Sequence, residues 1–147
     1  MDTKTKLNEA VKKAMKSGDE TGKRTLRMVL AAVKQVEVDK RIELDEAAVI
    51  AILQKEVKTR RESLEEAKVA SREDLATAAQ AEIDILNTFL PKAMSADELR
   101  ELARQAIAET GASSPADMGK VMKAMMAKVA GRAPGDQVSA AVRELLT

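Results

Sequence analysis

The sequence predicts an all-α protein, and three observations carry that reading. Apolar residues recur at spacings of three and four, as one face of a helix requires. Most of these runs open on a residue able to cap a helix, and several close on glycine or proline. No stretch shows the strict apolar–polar alternation of a half-buried strand.

The first predicted helix runs from about Thr3 to Ser17, with Leu7, Val11 and Met15 at i, i+4 and i+8. Gly18 can take the positive φ of a helix end, and Asp19 can cap the next start. A second helix from about Asp19 to Arg41 carries Leu26, Val29, Leu30, Val33 and Val36. Asp45 caps a third, with Val49, Ile52, Leu53, Val57 and Leu64 on one side. Ser71 with Asp74 reads as a capping box for a fourth, whose apolar face is Leu75, Ala78, Ile83, Leu86 and Leu90. Pro91 then bars helical geometry at Leu90, and the spacing predicts a subdomain boundary between Pro91 and Met94.

Beyond that boundary the helices shorten. Ser95 and Glu98 form a second capping box ahead of Leu99, Leu102, Ala106 and Ile107, and Gly111 closes that helix. Ser114 with Pro115 opens the next, which carries Met118, Val121, Met122, Met125 and Val129 and stops at Gly131. Pro134-Gly135-Asp136 turns into a last helix with Val138, Val142 and Leu145. The expected organisation is a four-helix, bundle-like part over residues 1–91 and a small three-helix part over residues 92–147 with a thin, Met-rich core.

Composition narrows the function. The chain has 45% hydrophobic and 33% charged residues and no apolar run long enough to cross a bilayer, so no membrane role is expected. It has no His, Cys, Trp or Tyr, and Phe89 is its one aromatic residue. An imidazole base, a thiolate nucleophile and a zinc site of the usual nitrogen–sulfur kind are therefore excluded. No self-sufficient catalytic centre, metal or cofactor is expected. Lack of cysteine and of an apolar block behind the first residues predicts a cytoplasmic protein. With one aromatic there is no stacking platform for unpaired bases, so any nucleic acid must be met through phosphates and shape.

Charge is unevenly spread although the net value is only +1. In residues 1–27, eight cations (Lys4, Lys6, Lys12, Lys13, Lys16, Lys23, Arg24 and Arg27) face four acids. In residues 117–132, Lys120, Lys123, Lys128 and Arg132 face Asp117 alone. Either patch could neutralise phosphates, or could simply be a solvated helix face. Gly119 is less ordinary, because glycine early in a helix costs about 1 kcal/mol relative to alanine. Close approach of another backbone, from a neighbouring helix or a nucleic acid, would account for it. Lys120 and Lys123, three apart, reach one side, and a helix start suits a phosphate.

These stretches together resemble the YqeY proteins, which are similar to the C-terminal tail of the GatB subunit of tRNA-dependent amidotransferases. The resemblance rests on Leu26 to Lys34, Lys55 to Glu62 with Lys58, Arg60 and Arg61, and Arg72 to Leu75. It continues through Glu82 to Pro91, Asp117 to Met122 and Gly131-Arg132. It implies an accessory protein of translation that binds tRNA, with amide-nitrogen transfer performed by other subunits. It also implies a link by association to carbon–nitrogen ligases that take nitrogen from glutamine. Carried onto this chain, it places RNA contact at Gly119, Lys120, Lys123 and Arg132, and secondarily at Arg24, Arg27 and Lys34. The family often has tyrosine where Phe89 stands. The competing reading is a helical adaptor for a protein partner, with no nucleic-acid role.

Overall fold

Seven α-helices form and no strand is present among the described residues, which in this computed structural model are 1–146. The chain divides into two compact units, Met1–Leu90 and Pro91–Thr147. The first unit holds α1 (Thr3–Ser17), α2 (Glu20–Lys40), α3 (Glu46–Val69) and α4 (Glu73–Asn87). The second holds α5 (Ala96–Thr110), a single 3-10 turn (Pro115–Asp117), α6 (Met118–Val129) and α7 (Gly135–Leu145).

Short polar side chains start most of the helices. Asp2, Asp19 and Asp45 accept from the amides of Thr5, Gly22 and Ala48, at 2.8, 3.0 and 2.8 Å. Ser95 Oγ accepts from Glu98 N at 3.1 Å. Each bond satisfies an amide that the first helical turn leaves without a partner. Gly18 and Gly111 close α1 and α5 at φ of 74° and 69°, where a Cβ would be strained.

Two sequence expectations fail at α4. Ser71 does not cap it, because the α3 terminus already uses that residue. Ser71 sits at φ 55°, its amide donates to Lys68 O, and the Arg72 amide donates to Ala67 O at 2.8 Å. A residue held left-handed to end one helix cannot take the extended geometry that would start the next. The apolar face differs in its first turns only: Ala76 and Ala79 take the core positions expected of Leu75 and Ala78, which are exposed, while Ile83, Leu86 and Leu90 face the core as expected. The helix ends at Asn87. Ahead of Pro91 the backbone tightens into bonds from Thr88, Phe89 and Leu90 to Ile85, Leu86 and Asn87.

In the first unit Leu7, Leu26, Val29, Val33, Val49, Leu53, Val57, Ile83 and Leu86 form the buried interior. Along α1 that interior is lined by Leu7, with Ala10 and Val11 packed against it, whereas Met15, expected inside, is 52% exposed. Polar ties close the open end. The Thr3 amide and hydroxyl both donate to the Glu46 carboxylate. Glu37 accepts from Lys4 Nζ and from the Leu44 amide, each at 2.9 Å. The second unit packs α5, α6 and α7 against one another. Its core is less Met-rich than expected. Val121, Val129, Val138 and Val142 are fully buried with Met125, while Met94, Met118 and Met122 pack at its edge and Met126 is exposed.

The Leu44 amide, and then Lys4, hold the Glu37 carboxyl below its ordinary value, while pairing with Glu37 raises Lys4. A carboxylate whose pKa is lower folded than unfolded stabilises fully above the unfolded value, and loses that contribution as pH falls through the folded one. Acidification below the ordinary glutamate value of 4.5 should therefore weaken the first unit. In urea unfolding followed by circular dichroism from neutral to acid pH, Glu37→Gln should show a shallower acid loss than the parent chain. Identical acid profiles would remove Glu37 from the account.

Candidate nucleic-acid contact surface

The seven residues singled out from sequence divide between the units: Gly119, Lys120, Lys123 and Arg132 lie in the second, Arg24, Arg27 and Lys34 in the first. In the second unit the approach to α6 is fixed by Asp117. Its carboxylate accepts from the Ser113 amide at 3.0 Å, and its own amide donates to Ser114 O. The Ser113 amide, then the nearby Lys120 cation, keep the Asp117 carboxyl below its usual value, so it is charged at neutral pH. This backward bond holds the loop against the 3-10 turn, which leads directly into α6.

Gly119 is the second residue of α6 and is exposed. A Cβ built there meets no atom within 4 Å. The neighbouring-helix explanation for this glycine is therefore absent from the described residues, and the side of α6 that it occupies is open. Successive helical residues turn by about 100°, so Gly119, Lys123 and Met126 share one exposed stripe with Lys120 beside it. Lys120 Nζ lies 3.7 Å from Asp117 Oδ1, and among the described residues Lys123 has no ion-pair partner. A glycine backbone and two lysines thus present a low-relief basic surface at a helix start, where the peptide dipoles add partial positive charge.

Arg132 is placed differently. After α6, Ala130 and Gly131 are both left-handed, at φ 48° and 80°. The turn brings Arg132 Nε to Lys92 O at 3.0 Å and Nη2 to Glu98 Oε2 at 2.9 Å. The Met94 amide donates back to Arg132 O at 3.0 Å. The arginine joins the segment entering α5 to the turn leaving α6, and two of its five N–H donors are engaged within the unit.

In the first unit, Arg24 is mostly exposed and lies 3.7 Å from Glu82 Oε1. Arg27 Nη2 donates to Met15 Sδ at 3.5 Å. Lys34 borders an open depression with Lys4, Glu37, Val38, Arg41 and Ile42. Sequence reasoning missed the residues that organise this unit. Arg60 has its side chain 8% exposed, bonded to Glu56 Oε2 at 2.7 Å and Glu82 Oε2 at 3.1 Å. Glu37 is buried too. Both were legible in principle, since Arg60 follows Leu53 and Val57 at i+7 and i+3, and Glu37 follows Val33 at i+4. Among the described residues no group of three or more acidic side chains could hold a metal ion, and no helix is long and apolar enough to cross a membrane.

The model of a family described as Yqey-like protein matches residues 4–146. Curated relatives are named "Altered inheritance of mitochondria protein 41, mitochondrial". The one from Pyrenophora tritici-repentis is 28% identical over 146 residues, covering 96% of this chain and 79% of the relative. That from Eremothecium gossypii is 36% identical over 101 residues, covering 68% and 55%. That from Lachancea thermotolerans is 32% identical over 99 residues, covering 67% and 53%. The chain thus spans between about half and four fifths of these relatives. Their names correct the cytoplasmic expectation, because the relatives are described as mitochondrial. Lack of cysteine does not separate the two compartments, and organellar transit segments are amphipathic and not long apolar blocks.

Two substitutions separate structural from surface roles. Gly119→Ala should raise the unfolding free energy of the second unit by about 0.5–1 kcal/mol, because helix propensity improves and nothing is struck. Arg132→Ala should lower it by about 1 kcal/mol through lost ties to Lys92 and Glu98. Denaturant midpoints at unchanged m-value measure both, and a stabilising Arg132→Ala would contradict the clamp.

Proposed function

The chain belongs to the YqeY family, and from that premise we propose that it is a non-catalytic module that binds structured tRNA through its phosphates. The contact surface is the start of α6. The observation that carries this reading is the open side at Gly119 beside exposed Lys120 and Lys123. A phosphodiester backbone can approach the bare glycine closely, while two ammonium groups neutralise adjacent phosphates. The likeness to the amidotransferase tail supports tRNA as the ligand. With no His and no Cys, the chain leaves any amide-nitrogen transfer to other subunits. Arg132 supports the surface by holding the adjoining turn, and the folded corner of a tRNA suits a chain that lacks bases' aromatic partners.

Fluorescence anisotropy with labelled tRNA tests the reading. Log affinity should fall linearly with log salt, and the slope should shrink by roughly 0.7–0.9 per lost contact, so by about 1.4–1.8 in Lys120→Glu/Lys123→Glu. Gly119→Leu should weaken binding while circular dichroism stays unchanged. Absence of binding at low salt, or equal binding by the double variant, refutes the proposal.

The adaptor reading is favoured by Met126, which is 45% exposed on the Gly119–Lys123 stripe. A protein partner that remains bound after nuclease treatment, together with no tRNA affinity, would select it.

A further inference from the structure

The chain has eight methionines and no cysteine, so sulfur oxidation can occur only at thioethers. Met1, Met15, Met28 and Met126 are exposed. Met15 sits in the last turn of α1, and its sulfur accepts from Arg27 Nη2 of α2 at 3.5 Å. We propose that Met15 is an oxidation site for hydroperoxides, and that Arg27 captures the resulting sulfoxide across the α1–α2 hairpin.

The chemistry is a two-electron transfer of oxygen. A sulfur lone pair attacks the outer oxygen of the peroxide, the S–O bond forms and the O–O bond breaks. The alkoxide or hydroxide leaves and takes the proton that the transferred oxygen carried, becoming an alcohol or water. Sulfur is oxidised and the peroxide reduced. Exposure at 52% gives the reagent access. The guanidinium then matters more after the reaction than before it. A thioether is a weak acceptor, whereas the sulfoxide oxygen carries substantial negative charge and lies on the side that the N–H donors already face. Oxidation thereby replaces a weak contact with a charge-assisted hydrogen bond between two helices.

Met28 provides the internal contrast. Its sulfur lies 4.0 Å from Arg60 Nη2, but Arg60 is buried and already bonded to Glu56 and Glu82. A sulfoxide there competes with carboxylates, whereas at Met15 the arginine has no carboxylate partner among the described residues. This inference does not depend on the RNA reading.

The full chain carrying Met28→Leu and Met126→Leu is treated with hydrogen peroxide, and peptide mass spectrometry locates sulfoxide. Hydrogen exchange is then read at residues 12–17. Oxidation at Met15 should slow exchange there roughly two- to fivefold, the scale of one added charge-assisted bond at an exposed site. Adding Arg27→Ala should abolish the slowing while leaving oxidation intact, and Met15→Leu should make the segment insensitive to peroxide. Three results would overturn the proposal. They are a Met15 that resists peroxide while Met126 in the parent chain oxidises, exchange that is unchanged or faster after oxidation, and equal slowing without Arg27.

Discussion

The first unit depends on one buried cation. Arg60 lies on the core-facing stripe of α3, and a guanidinium withdrawn from water is tolerable only if its charge and donors are met. Glu56, one turn earlier, takes Nη1 through both its carboxylate and its backbone carbonyl. Glu82 on α4 takes Nε, and its second oxygen faces Arg24 of α2. Charge compensation therefore fixes which turn of α4 lies beside which turn of α3, and where α2 meets them. Sliding α4 by a turn would break these ion pairs together with the apolar packing around them. The two helices that pack most extensively in this unit, α3 and α4, are those the guanidinium joins.

That constraint explains what the sequence could and could not convey. Helix existence was plain, because Val29, Val33, Val49, Leu53 and Val57 repeat with the helical period and are buried accordingly. Caps at Asp19, Asp45 and Ser95 were readable from a single short polar side chain each. Reading failed where two elements compete for one residue. Ser71 looks like a start and serves as a stop, because the end of α3 demands a left-handed residue there. It failed again at the edges of apolar faces. Met15 and Leu75 continue the spacing of buried neighbours yet lie just beyond the contact with the next helix. Buried Arg60 and Glu37 went unseen, since charged side chains on an apolar stripe are ordinarily placed outside by composition alone.

The basic residues show a parallel division. The pattern of charge along the chain places cations together but does not say which are occupied. Lys4 is committed to Glu37, and Arg132 to Lys92 and Glu98. Lys120 and Lys123 flank a glycine with open space on its outer side. An arginine with planar, forked donors is easily recruited to staple backbone carbonyls, while lysine's single flexible ammonium more often stays in solvent. The functional question therefore narrows to the start of α6, although the sequence weighted Arg132 equally.

Each interior is assembled from one uninterrupted stretch of chain. The first draws on residues from Leu7 to Leu90, the second on residues from Met94 to Leu146. During synthesis, every residue of the first interior is joined to the chain before α5 is made. Its hairpins α1–α2 and α3–α4 join neighbours in sequence, so little chain must be searched to close them. Folding in step with translation, from the amino end onward, is then the natural order. The apolar faces of α1 to α4 need not wait, exposed, for the arrival of the carboxyl-terminal helices.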